Sequence, residues 1–129
     1  MSAIDALAKE HRETLFDMVT ELLTSYKDFA ARRALLPFSV VSTKDIRERG
    51  APEFPKATQR KIDALIEKAC TLHLTGSTKA EFAARDHAIL KLLELVARSA
   101  KDLEFHKPTP ADQRRVRRAQ ALRKHNELR

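Results

Sequence analysis

Apolar residues recur at helical spacing along most of the chain, and the widest apolar side lies in residues 78–105. Four side chains repeat there every seven residues: Phe82, Ile89, Val96 and Leu103. Others widen the apolar side beyond a single stripe: Leu92, Leu93, Leu95 and Ala100. A helix with so wide an apolar side needs neighbours on two sides. We therefore predict that residues 78–105 form the central helix of a bundle, with a polar strip facing water: His87, Lys91, Glu94, Arg98 and Lys101.

Two further segments show helical periodicity and predict helices over residues 3–34 and 56–74, and start signals predict a last helix over residues 110–128. Thr78 and Glu81 form a capping box at the start of the central helix, and Gly76 suits the end of the helix before it. Thr109, Pro110 and Asp112 supply an N-cap, a first-position proline and a first-turn acid to the last helix. A short loop joins the helix of residues 56–74 to the central helix, so we predict that these two helices run antiparallel.

The linker over residues 35–55 is too apolar for disorder. Leu36 precedes Pro37, so the first helix should end there, and we predict a short extended segment over residues 38–41. A short helix is predicted over residues 44–49, stopped by Gly50, with a stiff connector over residues 51–55. We expect three linker side chains to cover one end of the core: Phe38, Ile46 and Phe54.

Composition supports an all-helical chain, because it holds only two glycines among 129 residues. The predicted fold class is all-α, an antiparallel bundle of three to four main helices with a short linker helix and a basic C-terminal helix. We expect residues 1–107 to form the bundle core. The helix within residues 108–129 is poorly amphipathic, because Arg115 and Arg123 fall among its few apolar positions, so we expect it to project or to be ordered by a partner.

Charge is distributed unevenly along the chain, whose net charge is +7. Residues 107–129 hold eight lysines and arginines against two carboxylates, whereas the other residues hold 17 basic against 16 acidic side chains. The first predicted helix is acidic, and five carboxylates lie near its polar face: Glu10, Glu13, Asp17, Glu21 and Asp28. We call the first four the acidic stripe.

The basic C-terminal helix gives the main functional prediction. Its cations, here called the basic cluster, can contact a nucleic-acid backbone: Arg114, Arg115, Arg117, Arg118, Arg123 and Lys124. The segment contains no aromatic residue for base stacking, so phosphate contact is the available chemistry. We therefore expect a small non-enzymatic protein that binds the DNA or RNA backbone.

The alternative is a protein-interaction module, acting as an adaptor, an inhibitor or a homodimer. Its basic cluster would dock on an acidic protein surface, and the acidic stripe offers such a surface. Within one chain the two surfaces would neutralise each other, whereas between two chains they would form a reciprocal dimer. Either arrangement would occupy the arginines and weaken the nucleic-acid hypothesis.

Residues 4–15, IDALAKEHRETL, resemble the first helix of hemerythrin-like di-iron bundles, in which a histidine stands at the position of His11. The later HxxxE and HxxxH motifs of that family are absent, and the central helix offers no inward carboxylate, so we expect no metal and no other cofactor. A histidine on an apolar helix face is most often a hydrogen-bonded core or rim residue.

The remaining signals describe the setting of the protein. Cys70 is the single cysteine, and we expect a buried thiol with no catalytic base, so the chain is not expected to be an enzyme. No apolar run is long enough to cross a membrane, and no signal peptide is evident. We therefore expect a cytoplasmic protein.

Overall fold

The computed structural model describes residues 2–24 and 33–127, with side chains through residue 125. Six α-helices are found there: α1 Ala3–Ala6, α2 Lys9–Thr24, α3 Thr43–Arg49, α4 Lys56–Thr75, α5 Lys79–Arg98 and α6 Pro110–Glu127. Two 3₁₀-helices, Leu36–Val40 and Ser99–Asp102, and two short strands, β1 Ala51–Glu53 and β2 Glu104–His106, complete this part. The predicted all-α class is confirmed.

The first predicted helix is not continuous. Ser2 caps α1 by accepting a hydrogen bond from the amide of Asp5, and Leu7 then adopts an extended conformation before α2 begins. The break lets Ile4 and Leu7 pack against the core, and the amide of Ala3 donates to Glu94 Oε2 on α5 at 3.1 Å. Residues 25–32, including Asp28, lie outside the described residues, so the predicted end of this helix is not described.

An antiparallel pair, α4 and α5, forms the centre of the core, as the pattern predicted. Four of its inward side chains are fully buried: Ile62, Ile66, Leu92 and Val96. The predicted capping box is present, because Glu81 donates its amide to Thr78 Oγ1 at 3.1 Å while its carboxylate accepts from the amide of Thr78 at 3.3 Å. The α4 helix ends at Thr75 beside Gly76, close to the predicted bound.

The prediction that the central helix reaches residue 105 is wrong. After Arg98 the chain tightens into a 3₁₀ turn and continues as β2, which pairs antiparallel with β1. Leu103 lies beyond the end of the helix but is still buried. The seven-residue repeat of apolar side chains therefore extends further along the chain than the helix does. The guanidinium of Arg49 lies 3.9 Å from the centre of the Phe105 ring, which anchors this ribbon to α3.

The linker covers the core, and the predicted burial of Phe38, Ile46 and Phe54 is confirmed. Its first part was predicted to be extended but forms the 3₁₀-helix Leu36–Val40, since Pro37 fits the first turn of a helix. The side chain of Ser42 caps α3 by accepting from the amide of Asp45 at 3.1 Å.

The last helix packs on its own chain, whereas we expected it to project or to be ordered by a partner. Ala119 is fully buried, and Val116 and Leu122 pack against the core from half-buried positions. The helix lies against α2 and the 3₁₀-helix Leu36–Val40. Its apolar stripe is narrow, but polar contacts at its edges complete the interface.

Candidate nucleic-acid interface

The start of α6 is held by a compact set of polar contacts around Asp112, which is almost fully buried. Its carboxylate accepts from the amide of Thr109 at 2.8 Å and from Arg115 Nη1 at 2.8 Å. Burial pushes the pKa of Asp112 upward, but the Thr109 hydrogen bonds and the charges of His106 and Arg115 outweigh it and leave the pKa below its usual range. Arg115 therefore stabilises the start of α6 through its contact with Asp112.

Arg123 is the most deeply buried member of the basic cluster, with 8% of its surface exposed. Its Nη2 donates to the carbonyl of Phe38 at 2.7 Å and also to the carbonyl of Val41. These carbonyls lie at the end of a 3₁₀-helix, where backbone acceptors lack partners within the helix. Burial lowers the pKa of Arg123, and nearby Glu10 opposes this effect. The two carbonyl contacts make the side chain part of the fold.

Arg118 connects α6 to the acidic stripe. Its Nη2 lies 2.6 Å from Glu21 Oε2 on α2. Nearer the start of α2, Glu10 lines a shallow groove together with Gln120, Arg123 and Lys124. The basic helix therefore meets the acidic stripe within one chain, the arrangement considered above as a competitor to nucleic-acid binding.

The acidic stripe is accordingly only partly available as a docking face. Glu21 is occupied by α6, whereas the Glu10 side chain is 52% exposed. Glu13 and Asp17 are half-buried on the same side of α2.

Three cations of the basic cluster remain exposed, Arg114, Arg117 and Lys124, although Lys124 also borders the groove that Glu10 lines. Within residues 2–24 and 33–125, none of these three side chains forms an ion pair. Arg118 borders them, and its side chain is 46% exposed despite its contact with Glu21. Steps of three and four residues place all four on one side of a helix. We call these four residues the outer face of α6; no carboxylate lies on α6 between Gln113 and His125.

His11 lies close to Arg123 of α6, and its surroundings disfavour a metal cation. Its Nδ1 is buried without a hydrogen-bond partner, contrary to our expectation of a hydrogen-bonded histidine. Burial and the charge of Arg123 lower its pKa, against the opposing effects of Glu10 and Asp45. A neighbouring guanidinium would repel a metal cation. The described residues contain no group of three histidine, cysteine or acidic side chains able to hold a metal.

A polar cleft of about 420 Å³ between the linker and the start of α6 was not predicted. His106 lies at its edge, with Nδ1 3.8 Å from Asp112 Oδ2 and Nε2 3.8 Å from Glu53 Oε2. Arg33 lines the same cleft and pairs with Asp63 at 3.1 Å. The β1–β2 ribbon brings Glu53 close to His106. The one signal in the sequence was that His106 lies shortly before the start of the last predicted helix.

Cys70 is buried as predicted, and its Sγ lies 3.7 Å from the carbonyl oxygen of Leu22. Burial raises the pKa of this thiol, which keeps it in the unreactive protonated form. In the part of the chain that the structure describes, no helix is both long and apolar enough to cross a bilayer. Comparison with models of protein families, with curated proteins and with solved structures finds no match to this chain.

Proposed function

We propose that the protein binds the phosphate backbone of nucleic acid through the outer face of α6, as a non-enzymatic protein of the reducing cytosol. One observation carries the proposal: Arg114, Arg117 and Lys124 share the solvent side of a packed helix and have no ion pair among the described residues. Because α6 packs against α2, the backbone positions that carry these cations keep a constant spacing. A rigid array loses less conformational entropy on binding than a free basic tail does.

The geometry limits the size of the interface. Residues 114 and 124 are separated by about 15 Å along a helix. This span suits three or four phosphate contacts, which predicts a slope of log affinity against log salt of roughly −3 for duplex DNA. With no aromatic side chain on the outer face, binding should depend little on base sequence.

The proposal is tested with two variants of equal charge. In the first, Arg114, Arg117 and Lys124 are changed to glutamine. In the matched control, three exposed cations on α4 and α5 are changed to glutamine: Lys56, Arg60 and Lys79. Binding of labelled duplex DNA and duplex RNA is followed by fluorescence anisotropy across a salt series.

We expect the α6 variant to lose most of its affinity at low salt, with the salt slope reduced by about one unit for each removed cation. The control should keep the slope of the wild type. Equal losses in the two variants would mean that net charge alone drives binding, and no binding by the wild type at low salt would refute the proposal.

The contact between Arg118 and Glu21 favours a second candidate, an acidic protein surface. In this contact a cation of the basic cluster already binds a carboxylate on a helix, at 2.6 Å, as it would on an acidic partner. Between two chains the same pair would support the reciprocal homodimer considered above. Sedimentation of the wild type and of Glu21→Gln tests the homodimer. A dimer built on this pair would dissociate in the variant, whereas a protein that is monomeric in both forms would exclude the dimer.

A further inference from the structure

A surface groove with an apolar floor runs between α4 and α5, on the side where a polar strip was predicted. It has a volume of about 650 Å³, and its floor includes Ala64, Leu65 and Leu95. Leu90 lies in the same groove with 57% of its surface exposed. A large leucine exposed beside other apolar side chains is typical of a surface that binds another protein.

Basic side chains border this groove. Lys61 lines it from α4, and Lys91 and Arg98 line it from α5. One carboxylate, Glu94, also lines it, but this group accepts a hydrogen bond from the amide of Ala3 at 3.1 Å. The border thus carries three cations against one carboxylate that is already in contact with α1.

The groove is long enough for a helix. A second hollow of about 430 Å³ continues from Ala64 along α4 to Leu72, and both Lys68 and Glu67 line it. Along the two hollows the lysines and arginines still outnumber the carboxylates, four to two. Together the hollows extend from residue 61 to residue 72, which is about 17 Å, or three turns, along a helix. Helices that bind in such grooves present apolar residues at intervals of three, four and seven.

We propose that this groove binds an amphipathic helix of a partner protein, with a leucine-rich stripe on the floor and acidic residues on both flanks. The carboxylates would meet Lys61, Lys91 and Arg98 at the border, where unlike charges favour the encounter. A second copy fits less well, because a symmetric contact would place the two basic borders against each other. The inference is independent of the proposed nucleic-acid interface, which lies on α6.

The test uses the full chain and two synthetic helical peptides. Both carry leucine at intervals of three and four; one has glutamate on its flanks and the other has lysine. Two leucines of nearly equal exposure provide matched variants, because Leu90 at 57% lies in the groove whereas Leu74 at 58% lines neither hollow. Each is changed to serine, and peptide binding is measured by fluorescence anisotropy.

We expect the acidic peptide to bind the wild type at least tenfold more tightly than the basic peptide does. Leu90→Ser should weaken this binding about tenfold, the effect of losing one central apolar contact, whereas Leu74→Ser should leave it unchanged. Changing Lys61 and Lys91 to glutamate should reverse the preference between the two peptides.

Three results would overturn the proposal. The first is equal binding of the two peptides, and the second is an equal loss in the two serine variants. The third is self-association of the wild type that Leu90→Ser abolishes, since this would identify a second copy as the occupant. Circular dichroism of each variant confirms that its helices are retained.

Discussion

Gly50 is required by its conformation and by its neighbour. Its φ is +105°, a region that residues with a side chain rarely adopt, and a Cβ there would overlap the carbonyl oxygen of His106. The residue ends α3 where β1 begins to pair with β2.

We expect Gly50→Ala to lower the free energy of unfolding by roughly 1–3 kcal/mol, because the alanine adds backbone strain and a close contact. Urea denaturation measures the change. Glu48→Ala, at an exposed position in α3, serves as the control and should stay within about 0.5 kcal/mol of the wild type. A Gly50→Ala protein as stable as that control would contradict the conformation described here.

His11 makes stability depend on pH. Burial and Arg123 hold its pKa in the folded protein below the ordinary value of 6.5, so the unfolded chain binds the proton more readily. The stabilisation from the neutral imidazole is complete above pH 6.5 and declines as the pH falls through the lower, folded pKa.

Urea midpoints of the wild type and of His11→Gln, measured from pH 7.5 to pH 5, test this dependence. We expect the wild type to lose more stability than the variant does on acidification. Parallel curves for the two proteins would show that other groups cause the loss.

At the scale of elements, α6 is part of the fold. Removing residues 108–129 would uncover the side of the core that Ala119 closes and would leave the carbonyls of Phe38 and Val41 without Arg123. We expect this truncation to lower the free energy of unfolding by about 2 kcal/mol or more. Urea denaturation with dye binding to exposed apolar surface measures the effect.

The glutamine variant of Arg114, Arg117 and Lys124 is the control for that truncation, since it keeps every buried contact of α6. It should unfold close to the wild-type midpoint. An unchanged midpoint in the truncated chain would mean instead that the bundle folds without its last helix.

The elements that the sequence could predict were those fixed by local signals. Lys56 begins α4 directly after Pro55, Thr78 caps α5, and Pro110 begins α6, all at the expected positions. The break at Leu7 and the end of α5 at Arg98 were missed, because apolar periodicity continues through both points. Burial of a side chain such as Leu103 does not reveal whether a helix or a strand carries it.

The candidate site was predictable in composition but not in exposure. The sequence identifies all six cations of the basic cluster and places Arg123 among apolar positions, yet it does not reveal that this guanidinium is buried. The carbonyls that bind Arg123 lie 82 and 85 residues away along the chain, so no local pattern marks them. Its place among apolar positions suggested weak packing, whereas the buried guanidinium in fact completes the packing.

At the scale of the molecule, the acidic and basic parts of the sequence are neighbours. The contact between Arg118 and Glu21 joins them, and most of the remaining basic character of α6 faces outward. A second basic surface borders the groove between α4 and α5. Because these surfaces lie on different helices, substitutions at Arg117 and at Leu90 can be interpreted separately.

The β1–β2 ribbon also bears on the order in which the chain can fold. It joins residues 51–53 to residues 104–106 and so closes a long loop, a step that is entropically costly for an unstructured chain. Once α4 and α5 have paired, the start of α4 and the end of α5 are already close. Only the short segments between these helix ends and the two strands remain to be ordered. Pairing of the two helices first therefore costs less conformational entropy, and we expect the two strands to pair after it.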